Sequence, residues 1–86
     1  MATNTVTFSW TRAEFSVGST TELFENTIND FSTSTRVWAG PSKIVSAQIT
    51  KTVNSTNYWY WVRHVLQGGT TGTQVLVTSP PVQYIA

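Results

Sequence analysis

The chain contains no cysteine, which excludes disulfide bonds and thiolate metal sites as sources of stability. Charged residues are also scarce: five are basic, four are acidic, and the formal net charge is +1. A charge this small gives no electrostatic attraction to nucleic acid, to a membrane surface or to an acidic partner. It also gives little self-repulsion, which suits a protein that associates with copies of itself.

The residues from which catalytic and metal sites are built are few. His64 is the only histidine, and the single aspartate and three glutamates all lie between residues 14 and 30. A lone histidine in an apolar strand is more often a core residue than a catalyst. We therefore expect no metal ion, no cofactor and no enzymatic activity.

Long apolar segments are absent as well. The longest uninterrupted one runs from Tyr58 to Val62, far short of the roughly 20 residues that a membrane-spanning helix needs. The N-terminus has no basic segment followed by an apolar one, so we expect no signal peptide. The sequence thus predicts a cytoplasmic or virion-associated protein.

Threonine and serine supply most of the polar side chains in place of charged residues. Sixteen threonines and nine serines account for 25 of the 86 residues, and threonine favours strands. We expect much of the surface to be β-structure that presents hydroxyl groups to water. A chain of this length forms one domain, residues 1–86, with a small hydrophobic core.

Two segments in the first third of the chain predict a strand followed by a helix. Residues 3–11 alternate between apolar and hydroxyl side chains, which is the pattern of a half-buried strand. Residues 19–32 begin with a capping-box pattern, from Ser19 to Glu22, and continue with apolar side chains at helical spacing. The apolar residues of the strand are Val6, Phe8 and Trp10, and those of the helix are Leu23, Phe24, Ile28 and Phe31. We predict that the helix packs on the apolar face of the strand.

Three further strands are predicted in the second half. Residues 43–53 and 57–67 both alternate, and the polar turn between them predicts an antiparallel hairpin. Residues 73–78 form the last strand, after a glycine-rich loop at 68–72. The order β-α-β-β-β predicts an α+β fold of two layers, with one amphipathic helix packed on a mainly antiparallel four-stranded sheet.

The predicted strand at 57–67 carries large aromatic side chains on both faces. Its two faces are Tyr58, Tyr60, Val62, His64 and Leu66, and Trp59, Trp61, Arg63, Val65 and Gln67. A helix about 10 Å across cannot cover both faces of a sheet about 19 Å wide. One aromatic pair is therefore predicted to stay uncovered.

We predict that this uncovered face is a binding surface. A two-residue hairpin loop would place Thr50 and Thr52 opposite Trp61 and Trp59, whereas a three-residue loop would shift the register and exchange the faces. The candidate binding or interface residues are Trp59, Trp61, Arg63, Thr50 and Thr52.

Three classes of function fit such a surface. An aromatic patch of up to ~400 Å² on a small domain is typical of an interface. We therefore expect a homo-oligomer, in which the chain acts as a self-associating structural protein of a virion or other particle. The alternative is a ligand-binding module that stacks a carbohydrate or single-stranded nucleic acid on Trp59 and Trp61. The sparse positive charge argues against nucleic acid, and an enzyme that uses His64 has the least support.

Overall fold

The computed structural model describes residues 2–11, 19–68 and 73–86, and the regular structure in these ranges is almost entirely β. The strands are β1 Thr3–Ser9, β2 Thr20–Asn26, β3 Thr35–Pro41, β4 Ser46–Thr52, β5 Asn57–Gly68, β6 Thr73–Thr78 and β7 Val82–Ile85. A single turn of 3-10 helix, Phe31–Thr33, lies between β2 and β3. The predicted α+β fold with a helix at 19–32 is therefore wrong.

The strands form two antiparallel sheets. β1 and β4 make a two-stranded sheet whose register is unbroken from the Thr3–Thr52 pair to the Ser9–Ser46 pair. The larger sheet has the order β3-β2-β5-β6. β7 follows β6 along the same edge of β5, so the larger sheet has five strands in four positions.

The junction between β6 and β7 interrupts the edge of the larger sheet. Pro80 and Pro81 supply no N–H groups there, and the registers of β6 and β7 with β5 differ by one residue. Ser79 bridges the gap with its backbone and its side chain. Its N–H donates to the Val62 carbonyl oxygen at 2.8 Å, and its Oγ accepts the Val62 N–H at 2.9 Å.

β2 is a strand because it is buried on both sides. All residues from Thr21 to Phe24 are buried, which a helix with one apolar stripe cannot achieve and a central strand can. Leu23 points between the two sheets, whereas Phe24 points to the opposite face. The helical spacing that includes Ile28 and Phe31 is coincidental: Ile28 is 56% exposed, and Phe31 reaches Phe24 from the loop after β2.

The predicted hairpin between 43–53 and 57–67 is also wrong, although both segments contain strands. β4 pairs with β1 in the small sheet, and β5 pairs with β2 in the large one. The turn between them is tied to the C-terminus: the Ser55 N–H donates to the Ala86 carbonyl oxygen at 2.7 Å, and the Ala86 N–H donates to the Thr56 carbonyl oxygen at 2.9 Å. The chain therefore crosses from one layer to the other at this turn.

The remaining strand predictions are confirmed. Residues 3–11 contain β1, and residues 73–78 are β6. Of the glycine-rich loop predicted at 68–72, Gly68 ends β5 and residues 69–72 lie outside the described ranges.

The small sheet packs on one face of the large sheet, here called the inner face. The buried residues at the centre of this contact are Leu23, Ala47 and Tyr60. The Phe8 ring lies 4.2 Å from the Tyr60 ring, centroid to centroid, and the Trp10 ring lies 5.3 Å from that of Trp38. The apolar face predicted for the first strand is thus confirmed as a core face, but its partners are strands and not a helix.

A polar cluster also joins the two layers. Lys51 Nζ of β4 lies 2.5 Å from Glu25 Oε2 of β2, and the Tyr60 hydroxyl donates to the same carboxylate oxygen at 2.5 Å. The ammonium group is also 4.2 Å from the centre of the Tyr58 ring. Burial, followed by the bond to Glu25, raises the pKa of Tyr60, so its hydroxyl stays protonated as the donor.

The molecule is elongated. A compact chain of this length has a radius of gyration of about 12 Å. The observed value is 14.1 Å, and the principal extents are 49 × 23 × 16 Å. A shape this thin leaves few residues far from solvent.

Candidate functional site

The structure separates the five predicted binding residues into two groups. Trp59, Trp61 and Arg63 lie on the face of β5 that points away from the small sheet, here called the outer face. Thr50 and Thr52 lie on β4 in the small sheet, where they pair with β1. The predicted pairing of these threonines with the two tryptophans is therefore wrong.

The two indoles of the outer face do not form an open platform. The Phe31 ring meets Trp61 at a centroid distance of 5.8 Å and Phe24 at 4.9 Å, both nearly edge-on. Trp61 is only 4% exposed, and Trp59 is partly buried. The 3-10 turn thus covers part of the face that the sequence predicted to stay bare.

Arg63 is engaged in an ion pair on this face. Its Nε and the Nη1 of Arg36 each donate to the buried Glu22 carboxylate at 2.9 Å. Burial alone would raise the pKa of Glu22, but the hydrogen bonds and charges of the two guanidinium groups outweigh it and lower that pKa. The Arg63 guanidinium also lies 4.8 Å from the centre of the Phe24 ring. These contacts hold the Arg63 side chain against Glu22 and Phe24, as expected of a structural residue.

The outer edge of β1 carries unpaired backbone groups. The Trp10 N–H donates to the Val45 carbonyl oxygen, and the Val53 N–H donates to the Ala2 carbonyl oxygen. With the unbroken register, these bonds show that even-numbered residues of β1 direct their backbone groups towards β4. The odd-numbered residues direct theirs away from β4, to a side on which no described strand pairs with β1. The odd-numbered residues are Thr3, Thr5, Thr7 and Ser9.

The other outer strand edges of the described structure are protected, whereas the β1 edge is not. Natural proteins protect sheet edges with bulges, prolines and charges. β3 has a register shift opposite the Leu23–Phe24 step and ends at a proline. The edge of β6 and β7 is interrupted by two prolines, and β4 carries the inward-pointing charge of Lys51. β1 contains no proline, no charge and no register shift.

The solvent face of the small sheet is an uncharged surface of hydroxyl and amide groups. Thr5 and Thr50 face each other across the two strands, with 3.5 Å between their Oγ1 atoms. The members of this face are Thr3, Thr5, Thr7 and Ser9 from β1 and Ser46, Gln48, Thr50 and Thr52 from β4. The structure thus groups Thr50 and Thr52 with β1, and not with the tryptophans.

A groove of about 430 Å³ lies beside the C-terminal end of β1. It is lined by residues 9–11, by Val62 and His64 of β5, and by residues 79–82 at the junction of β6 and β7. Val62 and His64 belong to the inner face of the large sheet. The large sheet therefore extends beyond the edge of β1, and none of the described residues covers its inner face there.

The groove offers apolar surface and a few hydrogen-bonding groups without formal charge. Trp10 is held in place because its Nε1 donates to the Ile44 carbonyl oxygen at 3.1 Å. His64 Nδ1 is 2.9 Å from Thr21 Oγ1, and burial lowers the pKa of His64, so the ring is neutral at pH 7. Its Nε2 and the hydroxyl proton of Ser79 have no hydrogen-bond partner among the described residues. Sequence reasoning missed this groove because its lining comes from three segments that are far apart in the chain.

The titratable groups that the structure describes are not gathered into a metal site. Within the ranges that the structure describes, no three histidine or carboxylate side chains are placed to share a metal ion. The same ranges contain no helix that is long and apolar enough to cross a membrane.

Comparisons of the chain with protein-family models, with curated proteins and with solved structures found no match. No relative therefore indicates a function for this chain.

Proposed function

We propose that the chain is a non-enzymatic assembly domain that associates with copies of itself, as a structural subunit of a virion or other particle does. The main support is the unprotected outer edge of β1, where the backbone groups of alternate residues from Thr3 to Ser9 have no described partner. Such an edge is a template for pairing with a strand of another molecule. The same proposal places the protein in the cytoplasm or in a virion.

Shape and surface composition also support association. The molecule is 16 Å across in its thinnest dimension, so its own core is small. A large apolar side chain is exposed beside the end of β1, where Val82 lines the groove and is 56% exposed. The net charge of +1 opposes the approach of a second copy only weakly.

The contacts of His64 support a binding protein over an enzyme. A catalytic histidine is generally oriented by a carboxylate or carbonyl group and lies beside a nucleophile or a substrate. The hydrogen bond that the structure gives His64 is to the Thr21 hydroxyl, which also belongs to the buried inner face. These surroundings are typical of a histidine that packs in the sheet, and not of one that acts on a substrate.

The ligand-binding alternative has less support. A carbohydrate or single-stranded nucleic acid would need flat aromatic faces, and Phe31 covers Trp61. The alternative remains a prediction for the Trp59 side of the outer face. A monomeric protein whose tryptophan fluorescence responds to soluble glycans or oligonucleotides would favour it.

A matched pair of proline variants tests the proposal. Thr5 and Thr50 face each other in a pair that shares no backbone hydrogen bond, so each directs its N–H to the outer edge of its own strand. Proline is tolerated at such positions because the N–H that it removes is not used in the sheet. Thr5→Pro and Thr50→Pro lose the same hydroxyl contact but alter opposite edges.

Analytical ultracentrifugation gives the readout, with circular dichroism melting curves as the control for folding. We expect the parent and Thr50→Pro to be oligomers and Thr5→Pro to be a folded monomer. Equal association of all three proteins would remove the β1 edge from the interface. A parent that is monomeric at high concentration would overturn the proposal itself.

A further inference from the structure

We infer that a second copy of this chain fills the groove beside β1, and that the two copies join through parallel pairing of their β1 strands. The inference rests on the proposed self-association and adds the position and direction of the partner. It is carried by the open edge of β1, by the groove beside that edge, and by the direction in which the faces of β1 point.

In the part of the chain that the structure describes, the small sheet leaves room for another strand. Two strands at a spacing of about 4.8 Å form a layer about 10 Å wide, whereas the four strand positions of the large sheet span about 19 Å. The vacant part lies next to β1, because residues 9–11 line the groove together with Val62 and His64 of the inner face. A strand added to the outer edge of β1 would therefore lie over the groove.

The strand that a second copy can offer is its own β1. Its edge is uninterrupted over seven residues and carries no proline, charge or register shift, whereas the edge that β6 and β7 share is broken by two prolines between these strands. Its side chains are uncharged on both faces, and so is the lining of the groove. This match matters because a charged side chain would lose its hydration in the groove without meeting an opposite charge.

The free backbone groups determine the direction of pairing. They belong to the odd-numbered residues, so in an antiparallel pair the odd-numbered residues of the two copies would lie opposite each other. Both even-numbered rows would then point to the same side of the joined strands. Each even-numbered row packs on its own large sheet, and each large sheet extends beyond β1. The two large sheets would collide.

Parallel pairing avoids this collision. In a parallel pair, a residue whose backbone groups point towards the partner lies opposite a residue whose groups point away. The odd-numbered row of one copy then lies on the same side as the even-numbered row of the other. The two large sheets are placed on opposite sides of the joined strands, where neither obstructs the other.

In the same arrangement, side chains of the second copy cover the groove. The odd-numbered row of β1 consists of threonines and one serine, and parallel pairing places it over the groove of the other copy. Threonine methyl groups can pack on Val62 and Val82, and the hydroxyl groups can bond to His64 Nε2 and the Ser79 hydroxyl. The two copies are offset by one residue along the joined strands, and with this offset each copy covers the groove of its partner.

Two lysine variants on β7 test whether the groove is filled. Val82 lines the groove and is 56% exposed, whereas Ile85 on the same strand is 62% exposed and lies outside the lining. Because a buried ammonium group without a partner is costly, Val82→Lys should weaken dimerisation at least about tenfold. Ile85→Lys should dimerise as the parent does. Equal dimerisation of the two variants would overturn the filling of the groove.

A spin label at residue 3 tests the direction of pairing. Since the chain has no cysteine, Thr3→Cys provides a single labelling position. Parallel strands place the two labelled backbones within about 10 Å of each other and the labels, which point to opposite sides of the joined strands, within about 15 Å. Antiparallel strands centred on Val6 separate the backbones by about 20 Å, with both labels on the same side. Electron paramagnetic resonance on the dimer, with sedimentation as the control for association, separates these distances.

The outcomes of these experiments distinguish a failure of the inference from a failure of the proposed function. A short distance together with a weakened Val82→Lys dimer supports the inference. A distance near 20 Å, or a Val82→Lys variant that associates as tightly as the parent, overturns the inference and leaves self-association standing. A parent protein that is monomeric at every concentration overturns both the inference and the proposed self-association.

Discussion

At the scale of single residues, Phe31 determines how much of the outer face is open. The sequence placed it on a helical stripe, but it sits in a 3-10 turn and covers Trp61 and Phe24. The turn is held by Asp30, whose carboxylate accepts the Ser32 N–H at 3.0 Å. A short loop with one well-placed ring thus closes a surface that the sheet alone would leave exposed.

Removal of the Phe31 ring should therefore uncover Trp61. We expect Phe31→Ala to lower the free energy of unfolding by about 2–3 kcal/mol, below the cost for a fully buried phenylalanine because the side chain is only partly buried. The fluorescence of the folded variant should shift to longer wavelength. Ile28→Ala, in the same loop and 56% exposed, is the control and should change stability by less than about 0.5 kcal/mol. Similar effects of the two variants would contradict the role of Phe31.

His64 should make stability depend on pH near neutrality. Burial lowers its pKa in the folded state, so between that lowered value and the ordinary value of 6.5 the unfolded chain binds more protons than the folded one. Stability should accordingly fall as the pH drops below about 6.5, and the loss should end once the pH is below the folded pKa. His64→Gln should flatten this part of the profile of melting temperature against pH. An unchanged slope in the variant would show that the folded histidine titrates normally.

At the scale of elements, the polar cluster of Lys51, Glu25 and Tyr60 is the side-chain link between the two layers. Its ionic members are only 17% and 16% exposed. An ion pair with so little exposure, and with a tyrosine hydroxyl on the same carboxylate, is screened less than a surface pair. It helps to hold the narrow small sheet in place on the large one.

A double-mutant cycle measures this link. We expect Lys51→Met and Glu25→Gln each to destabilise the fold, and the coupling energy between them to be about 1–3 kcal/mol from denaturant unfolding. Lys43→Met, at an exposed position, is the control and should have little effect. A coupling energy near zero would mean that apolar packing alone holds the layers together.

The sequence predicts several elements correctly and fails where tertiary pairing decides. β1 and β5 follow from alternation, because a strand with two different faces needs that pattern whichever strand lies beside it. β6 follows from the glycine-rich loop that precedes it. β2 could not be predicted, since the same residues satisfy a capping box and a helical stripe. Both of its faces are buried only because the small sheet packs on one face and Phe31 packs on the other. The pairing of β4 with β1 could not be predicted from the sequence either, because alternation specifies which face of a strand is buried and not which strand pairs with it.

At the scale of the whole molecule, the described residues leave the edge of β1 open and, beside it, part of the large sheet uncovered. Neither feature could be predicted from residues 3–11. Whether the edge of a strand is open depends on how all the other strands pair. The two-stranded layer is too narrow for the sheet beneath it, and the vacant strip borders the one described edge that lacks protection. Under the proposed function, a second copy that pairs with β1 would complete this layer.

Amide hydrogen exchange at increasing protein concentration tests this central claim most directly. The backbone N–H groups of Thr5 and Thr7 point to the outer edge of β1, and those of Gln48 and Thr50 point to the outer edge of β4. On association, exchange of the first pair should slow by about tenfold or more, while the second pair continues to exchange rapidly. Fast exchange of Thr5 and Thr7 at every concentration, or equal protection of both pairs, would contradict assembly through the β1 edge.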